Sequence, residues 1–532
     1  MSARSALFTP SRISGSDGLV ALALVGLVGL TAVRAFGLQE APYEDAAMIM
    51  RIAGNLAAGH GIVYTIGAGT VDGATDFLFM VVVAALNRIG FSLETSVRAL
   101  TLLAQVVTVL LVYLAARRLH RAGRAIAAIA AAYVIFGPGV KYSAGYFGTT
   151  CFAAAAASMW YIAYGIARGS RGDHAGYVLG VAALLTGLIR PEGVLLAVLI
   201  WLALLLRLGW TDAKRILIPA TAILSVGGLL YLVWHWVYFR YPLPNPYYVK
   251  GNGQIYPRSL LASIVWVTEF SLPFVPILVL AVRTKAGRCE AWFAGIPVIG
   301  FTVCWLLLSN ETNFAGRFQY PAMALVALSW PALIQPAVQA WPWLTRISGQ
   351  RVPRWSVLVC FGLICVLWVS TQFYMELGPA DGRYFVATGL GSMNRPDYTI
   401  ATTEAGLLPL YSGWRAIDTS GLNDQYVAHN GVTAEYLDRS RPEVFLIHTL
   451  KPPFFAEAGL RWTKMTDVLN AYVRSRGYRL VASYGFDERN THDYWVRSDL
   501  PDADRIAAEI QSRPYRLGQG SVAHNFAVGR AP

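Results

Sequence analysis

The chain has 532 residues, 55% of them hydrophobic and only 14% charged, with 44 Lys/Arg against 31 Asp/Glu and a formal net charge of +13. A charged share well below the roughly 25% of ordinary soluble domains excludes a plain soluble globular protein. The positive excess would suit an anionic partner, but residues 1–375 hold 27 Lys/Arg and 13 Asp/Glu while residues 376–532 hold 17 and 18. It therefore belongs to the apolar part, as basic loops between membrane spans produce, and argues against nucleic acid as a partner.

In chain order, Ser2–Arg12 is short and basic, and the apolar run from Gly18 is long, with no small-residue cleavage site before Asp45. This reads as an uncleaved first span rather than a signal peptide. A span needs about 20 apolar residues, fewer inside a bundle. On that basis eleven are predicted: Gly18–Phe36, Ser96–Ala116, Ala125–Phe136, Thr150–Ala167, Tyr177–Leu188, Val194–Leu206, Ile216–Val237, Leu260–Val282, Ala291–Leu308, Pro321–Val338 and Ser356–Tyr374. Phe77–Ile89 is shorter and reads as a half-inserted or interfacial helix. Five cysteines (Cys151, Cys289, Cys304, Cys360, Cys365) lie in or beside the apolar runs, with no CxxC or zinc spacing.

With Phe77–Ile89 not spanning, the segments Ser2–Asp17, Arg117–Arg124, Arg168–His174, Arg207–Arg215, Arg283–Arg288 and Gln339–Trp355 fall on one side and carry 17 Lys/Arg. The positive-inside rule makes that side cytoplasmic, so the N-terminus is inside and residues 376–532 are outside. The expected architecture is a polytopic α-helical membrane domain, 1–375, followed by a small extracytoplasmic α/β domain, 376–532. In the latter, Tyr398–Thr403, Glu443–His448, Tyr478–Tyr484 and Asp493–Arg497 read as strands, and Val432–Asp438 and Met465–Arg476 as helices. No GxGxxG, P-loop or Ser-elbow pattern occurs there.

The informative segment is the first outer loop, Gln39–Asp76, with Glu40, Glu44, Asp45, Asp72 and Asp76 against the single base Arg51. Asp45 is placed to cap a helix ending near Leu56, and Gly59-His60-Gly61 to turn the chain. An acidic pair at the mouth of a bundle suits general-base work, since burial beside apolar surface raises one carboxylate's pKa while the other stays charged. The same pair equally suits helix N-terminal charges stabilised by the macrodipole. Five acids in one loop have the donors for a divalent ion, but nothing in their pattern indicates one, and no two histidines are spaced as metal ligands.

Tyr43-Glu44-Asp45-Ala46, Arg51-Ile52-Ala53-Gly54-Asn55-Leu56 and Gly59-His60-Gly61-Ile62-Val63-Tyr64 resemble the first outer loop of GT-C-fold glycosyltransferases. Within that class the likeness is to the AftB-type terminal arabinofuranosyltransferases of actinobacteria. Further segments match in order: Arg190-Pro191-Glu192-Gly193, Pro242–Lys250, Gly316-Arg317-Phe318, Glu404-Ala405-Gly406 and Ile417–Asp424. The resemblance implies a GT-C-like fold in a bacterial plasma membrane. It implies a polyprenyl-phosphate sugar donor, an extracytoplasmic cell-envelope glycan acceptor, and inversion at the anomeric carbon, with arabinofuranose as one donor sugar.

By position the resemblance makes Asp45 the general base, with Glu44, where the family has Asp, orienting the acceptor or holding a proton. Arg190, Lys250 and Arg317 would receive the phosphate. His60, Asp76, Tyr142, Tyr247 and Tyr248 are candidate substrate contacts. Each has a plainer role as well: Arg190 as a partner of Glu192, Lys250 as a solvated charge, Arg317 snorkelling to headgroups, His60 as a turn residue, Asp76 as a helix cap, the tyrosines as interface aromatics. Arg98 reads as a structural partner near the outer end of its span. The other classes in play are a transporter or flippase, which would place ionisable residues at mid-membrane depth, and a non-catalytic scaffold presenting the outer domain.

Overall fold

A computed structural model describes residues 15–170, 172–251, 253–310, 313–340, 362, 377–378, 380–451, 455–517 and 521–527. Helix α1 (Gly15–Leu38) is apolar all round, and Leu19, Leu22, Leu30 and Val33 are exposed. A helix of that kind is stable only where lipid covers it. The next helices are α2 (Glu44–Ala57), α3 (Phe77–Arg88), α4 (Leu93–Leu114), α5 (Arg124–Ile135), α6 (Gly139–Ala144), α7 (Thr149–Ala167) and α8 (Ala175–Ile189). They are followed by α9 (Glu192–Leu208), α10 (Trp210–Phe239), α11 (Pro257–Ser271), α12 (Val275–Ala281), α13 (Lys285–Cys304), α14 (Tyr320–Ser329) and α15 (Pro331–Ala340).

Each predicted span before residue 340 is helical, but they differ in reach. Among the described residues, six helical stretches are long and apolar enough to cross a membrane, and α14 with α15 makes a seventh if the pair, bent by 51°, is one span. The chain is a multi-pass membrane protein. Helix α8 has 15 residues and α9 has 17, and α13 starts on the charged Lys285, Arg288 and Glu290. The segment Phe77–Ile89 forms the short helix expected of it, α3. Span Ser356–Tyr374 and the boundary at 375/376 lie outside the described residues, Gly362 excepted.

The basic loops converge. Buried Asp17 at the start of α1 pairs with Arg117 at 2.8 Å and Arg124 at 3.4 Å, and accepts from the Tyr113 hydroxyl. Buried Glu290 pairs with Arg207 at 2.8 Å and Arg168 at 3.1 Å. Four arginines from three predicted loops are thus drawn together around two acids.

From Gly382 the chain builds an α/β unit. Its six-stranded mixed sheet runs β2-β1-β3-β5-β4 and ends on the strand His524–Asn525. The strands are β1 (Thr399–Thr402), β2 (Arg415–Asp418), β3 (Val444–Leu450), β4 (Tyr478–Asp487) and β5 (Asn490–Arg497). β1 is parallel to β2 and β3, while β3, β5 and β4 are antiparallel. β1 is buried throughout, as a strand covered on both faces must be. Helices α16 (Gly382–Ser392) and α17 (Leu407–Ser412) turn toward the bundle, and Phe455–Ser475 covers the other face of the sheet.

Candidate active site

Helix α2 begins at Glu44, so extended Tyr43 is the cap residue. Asp45 lies inside the first turn, two positions beyond the cap rather than at it. The two adjacent acids leave the helix on different sides, because successive residues of a helix are about 100° apart.

Asp45 faces the bundle. Its Oδ2 accepts a hydrogen bond from Arg317 Nη2, and its side chain is 30% exposed. Arg317 is buried on the turn Phe314–Gln319, where Ala315 and Gly316 have φ of 52° and 70°. A side chain at Gly316 would strike the Trp266 ring at 2.5 Å, so glycine is required there for conformation and space alike. Tyr142, buried in α6, donates its hydroxyl to the Ala315 carbonyl at 2.6 Å, and Asn313 Oδ1 accepts from the Phe318 amide at 3.0 Å. The sequence therefore spends two side chains holding this left-handed turn in place.

Cations and rings alternate along the floor of the site. Arg190 stands 5.1 Å from the Phe318 ring centre, and Arg317 stands 4.9 Å from Phe318 and 4.2 Å from Phe147. Phe147 stacks on Phe314 at 5.9 Å, and Lys141 Nζ lies 5.1 Å from Phe314. Tyr43 packs against both phenylalanines. Ring faces stabilise cations that burial would otherwise penalise. Arg190 bridges Asp76 at 2.8 Å and Glu192 at 3.0 Å. Asp76 occupies the cap position of α3 but makes no cap hydrogen bond. Burial raises its pKa, against the lowering charges of Arg190 and Arg317.

Glu44 faces the α/β unit. Its Oε1 accepts from the amides of Gly406 and, at 3.2 Å, Leu407, and Oε2 lies 3.2 Å from Arg383 Nη1. An added Cβ at Gly406 would lie 2.0 Å from the Glu44 carbonyl, so only glycine admits this approach. Burial pushes the Glu44 carboxyl up to about 7, with Arg383 pulling it down and the Glu404 charge adding to the rise. Burial raises Glu404 too, but Arg383 and His448 outweigh it and hold that carboxyl well below the usual range.

The five loop acids do not converge on one point. Glu40 accepts from the Ala380 amide, Asp72 pairs with His235 at 2.6 Å, and Asp76 goes to Arg190. The lone base, Arg51, donates to the carbonyls of Tyr64, Pro409 and Trp414, which ties α2 to the α/β unit. Arg98 donates to the Gln39 carbonyl beyond the end of α1, the structural use expected of it.

Of the residues singled out from the sequence, Asp45, Arg317, Arg190 and Asp76 are brought together, with Tyr142 beneath the Arg317 turn as a buried support. Tyr247, Tyr248 and Lys250 form a second group against the α/β unit: Tyr248 packs on His429 at 4.5 Å, and Asn245 reaches Gly421. Tyr247 is 45% exposed. His60 is exposed past the far end of α2, about 20 Å from Asp45 at about 1.5 Å per helical residue. Phe147, Phe314 and Arg383 gain no role from sequence, and Lys141 counts there only as one of the few outer-face cations, outside any family-like segment. A lysine inside the apolar stretch Gly139–Ala144 was the one available signal.

The solved structures that this chain resembles include the crystal structure of ArnT from Cupriavidus metallidurans in the apo state. The two share 14% identity over 90% of this chain and 98% of that one, with a TM-score of 0.62. The same protein bound to undecaprenyl phosphate gives a TM-score of 0.59 at 14% identity, over 91% and 98%. The chain has a GT-C-like fold. Residues 380–499 match a family model described as a domain of unknown function, DUF8728. No curated protein matches the sequence.

Proposed function

We propose that the chain is a membrane glycosyltransferase that takes its sugar from a polyprenyl phosphate and gives it to an extracytoplasmic glycan. The observation that carries this reading is the pairing of Asp45 with Arg317: a part-exposed carboxylate at the start of α2, held by a guanidinium lodged between phenyl rings with Lys141 nearby. The undecaprenyl phosphate bound to the structurally similar ArnT supports a lipid-phosphate donor.

In this reading Asp45 takes the proton from the acceptor hydroxyl as that oxygen bonds to the anomeric carbon. The bond from that carbon to the phosphate oxygen breaks, and the lipid phosphate leaves with the electron pair, so configuration inverts. Arg317 and Lys141 stabilise the departing charge, and no acid is needed to protonate it. Arg190 keeps Asp76 and Glu192 from repelling the phosphate. Glu44 orients the acceptor side of the site through its grip on Gly406. Tyr247, Tyr248 and Lys250 line the approach along the α/β unit, which contacts the glycan acceptor.

The resemblance of the first loop to AftB-type enzymes favours arabinofuranose as the sugar. The convergence of the basic loops on Asp17 and Glu290 supports a cytoplasmic N-terminus and an extracytoplasmic α/β domain, 376–532, in a bacterial plasma membrane. The test uses purified protein in detergent with synthetic polyprenyl-phosphate sugars and a glycan acceptor. Asp45→Asn is expected to lower transfer by about 10²–10⁴-fold while the protein inserts and melts as wild type, and wild-type turnover in that variant overturns the assignment.

A further inference from the structure

Three strands of the α/β unit bring Glu404, His448 and His492 to one level of the sheet. His448 on β3 and His492 on β5 are direct partners in the antiparallel register, so both side chains leave the same face. Their ring centres are 4.6 Å apart. Glu404 lies two residues beyond Thr402, which the parallel register pairs with Leu446, and this carries Glu404 level with His448. One donor atom from each of the three lies within 4.8 Å of the others.

The outward end of each side chain is already held. His448 Nε2 meets Asn490 Oδ1 at 2.9 Å, His492 Nδ1 meets the Tyr515 hydroxyl at 2.9 Å, and Arg383 donates to Glu404 Oε2 at 2.6 Å. What remains is His448 Nδ1, facing Glu404 Oε1 at 2.8 Å, and Nε2 of His492. Outer hydrogen bonds of this kind fix the tautomer and orientation of metal-bound imidazoles and carboxylates. Charge points the same way. Arg383 is the shared partner of Asp381, Glu44 and Glu404, none more than 18% exposed, so one guanidinium stands against three carboxylates. A divalent cation would add positive charge where carboxyl groups outnumber guanidinium groups three to one.

We infer that Glu404, His448 and His492 form a site for a divalent transition-metal ion, zinc by its donor set, in the α/β unit. Two imidazole nitrogens and a carboxylate oxygen are donors that zinc accepts at about 2.0–2.2 Å. Ligand atoms around such an ion stand about 3.3 Å apart, so donors that lie within 4.8 Å of one another need to close by about 1.5 Å at most. Arg383 stays outside the coordination sphere, on the far oxygen of Glu404. Residues Glu404-Ala405-Gly406 are the segment that grips Glu44, so the ion fixes the end of β1 against the start of α2. This site stands independently of the transferase reading.

The test takes the full chain in detergent, without a histidine tag, stripped by a chelator and desalted. Titration with zinc chloride, followed by calorimetry and elemental analysis, is expected to give one equivalent per chain. His448→Gln and His492→Gln lose it, and His429→Gln, at the surface stack with Tyr241, retains it. The zinc-loaded wild type melts a few degrees above the stripped protein, because the ion binds the folded state alone. X-ray absorption of the loaded wild type, which needs no variant to fold, shows nitrogen and oxygen neighbours. Failure of the stripped wild type to take up zinc, a sulfur shell around the bound ion, or one equivalent retained in His492→Gln overturns the inference.

Discussion

At the end of the bundle that gathers the basic loops, an acid sits among arginines; at the end that carries the α/β unit, an arginine sits among acids. Asp17 serves Arg117 and Arg124, and Glu290 serves Arg168 and Arg207. Arg190 serves Asp76 and Glu192, and Arg383 serves Asp381, Glu44 and Glu404. In each case the minority charge is the hub, with a side chain at most 13% exposed. The spokes differ: the arginines around the two acids are 20–49% exposed, whereas the acids around Arg383 are 16–18% exposed. A long arginine side chain can carry its charge to water or headgroups when its partner is lost. A carboxylate two or three bonds from the backbone cannot. The acid-centred end is therefore built for anchorage, and the arginine-centred end for holding carboxylates in fixed places.

The sharpest way to break this comparison is at Asp45, the part-exposed acid of the arginine-centred end. Asp45→Asn keeps an acceptor for Arg317 but removes the base, and transfer is expected to fall by about 10²–10⁴-fold with no change in melting. Next, Arg383→Met leaves three buried carboxylates without their partner and is expected to cost about 3–5 kcal/mol, read as a lowered thermal transition in detergent. Glu290→Gln keeps hydrogen-bond acceptors for two arginines that can turn outward, and is expected to cost only about 1–3 kcal/mol. It should leave the kcat/KM of the folded fraction intact. Equal losses at Arg383 and Glu290 would mean that spoke exposure does not govern the cost.

Much of this arrangement was legible in the sequence, and the reasons for the gaps are specific. Apolar runs announce helices by their length, so α1, α4, α7 and α10 appear where expected, as does the short α3. The strands Tyr478–Asp487 and Val444–Leu450 alternate or bury strongly enough to be read. β2 has four residues and begins with an exposed arginine, so it leaves no periodic signal. The pairing of Asp45 with Arg317 joins residues 272 positions apart and came into view only as two separate motifs. Arg383 carried no motif at all, because its importance arises from where the start of α16 docks. His448 and His492 show no ligand spacing in sequence; only the β3–β5 register makes them neighbours.

The finest test of how the arginine-centred end is held in place concerns Tyr142. Its hydroxyl reaches the carbonyl of Ala315, a non-glycine residue at φ 52°. A left-handed alanine costs about 1–2 kcal/mol, so the turn persists because neighbours hold it. Tyr142→Phe removes one neutral hydrogen bond and keeps the ring against Tyr320, a loss of about 1 kcal/mol. Global melting should hardly move, since the ring packing survives. What should move is the placement of Arg317 two residues on, and with it the affinity for a lipid phosphate. The expected result is a rise in donor KM and a fall in kcat that together lower kcat/KM by about 3- to 10-fold, at about 1.4 kcal/mol per tenfold, because Arg317 holds Asp45 and meets the departing charge. An unaltered kcat/KM would mean that Asn313 and the Phe147 ring hold the turn without help from Tyr142, and that the rigidity of this end lies in its rings rather than in its hydrogen bonds.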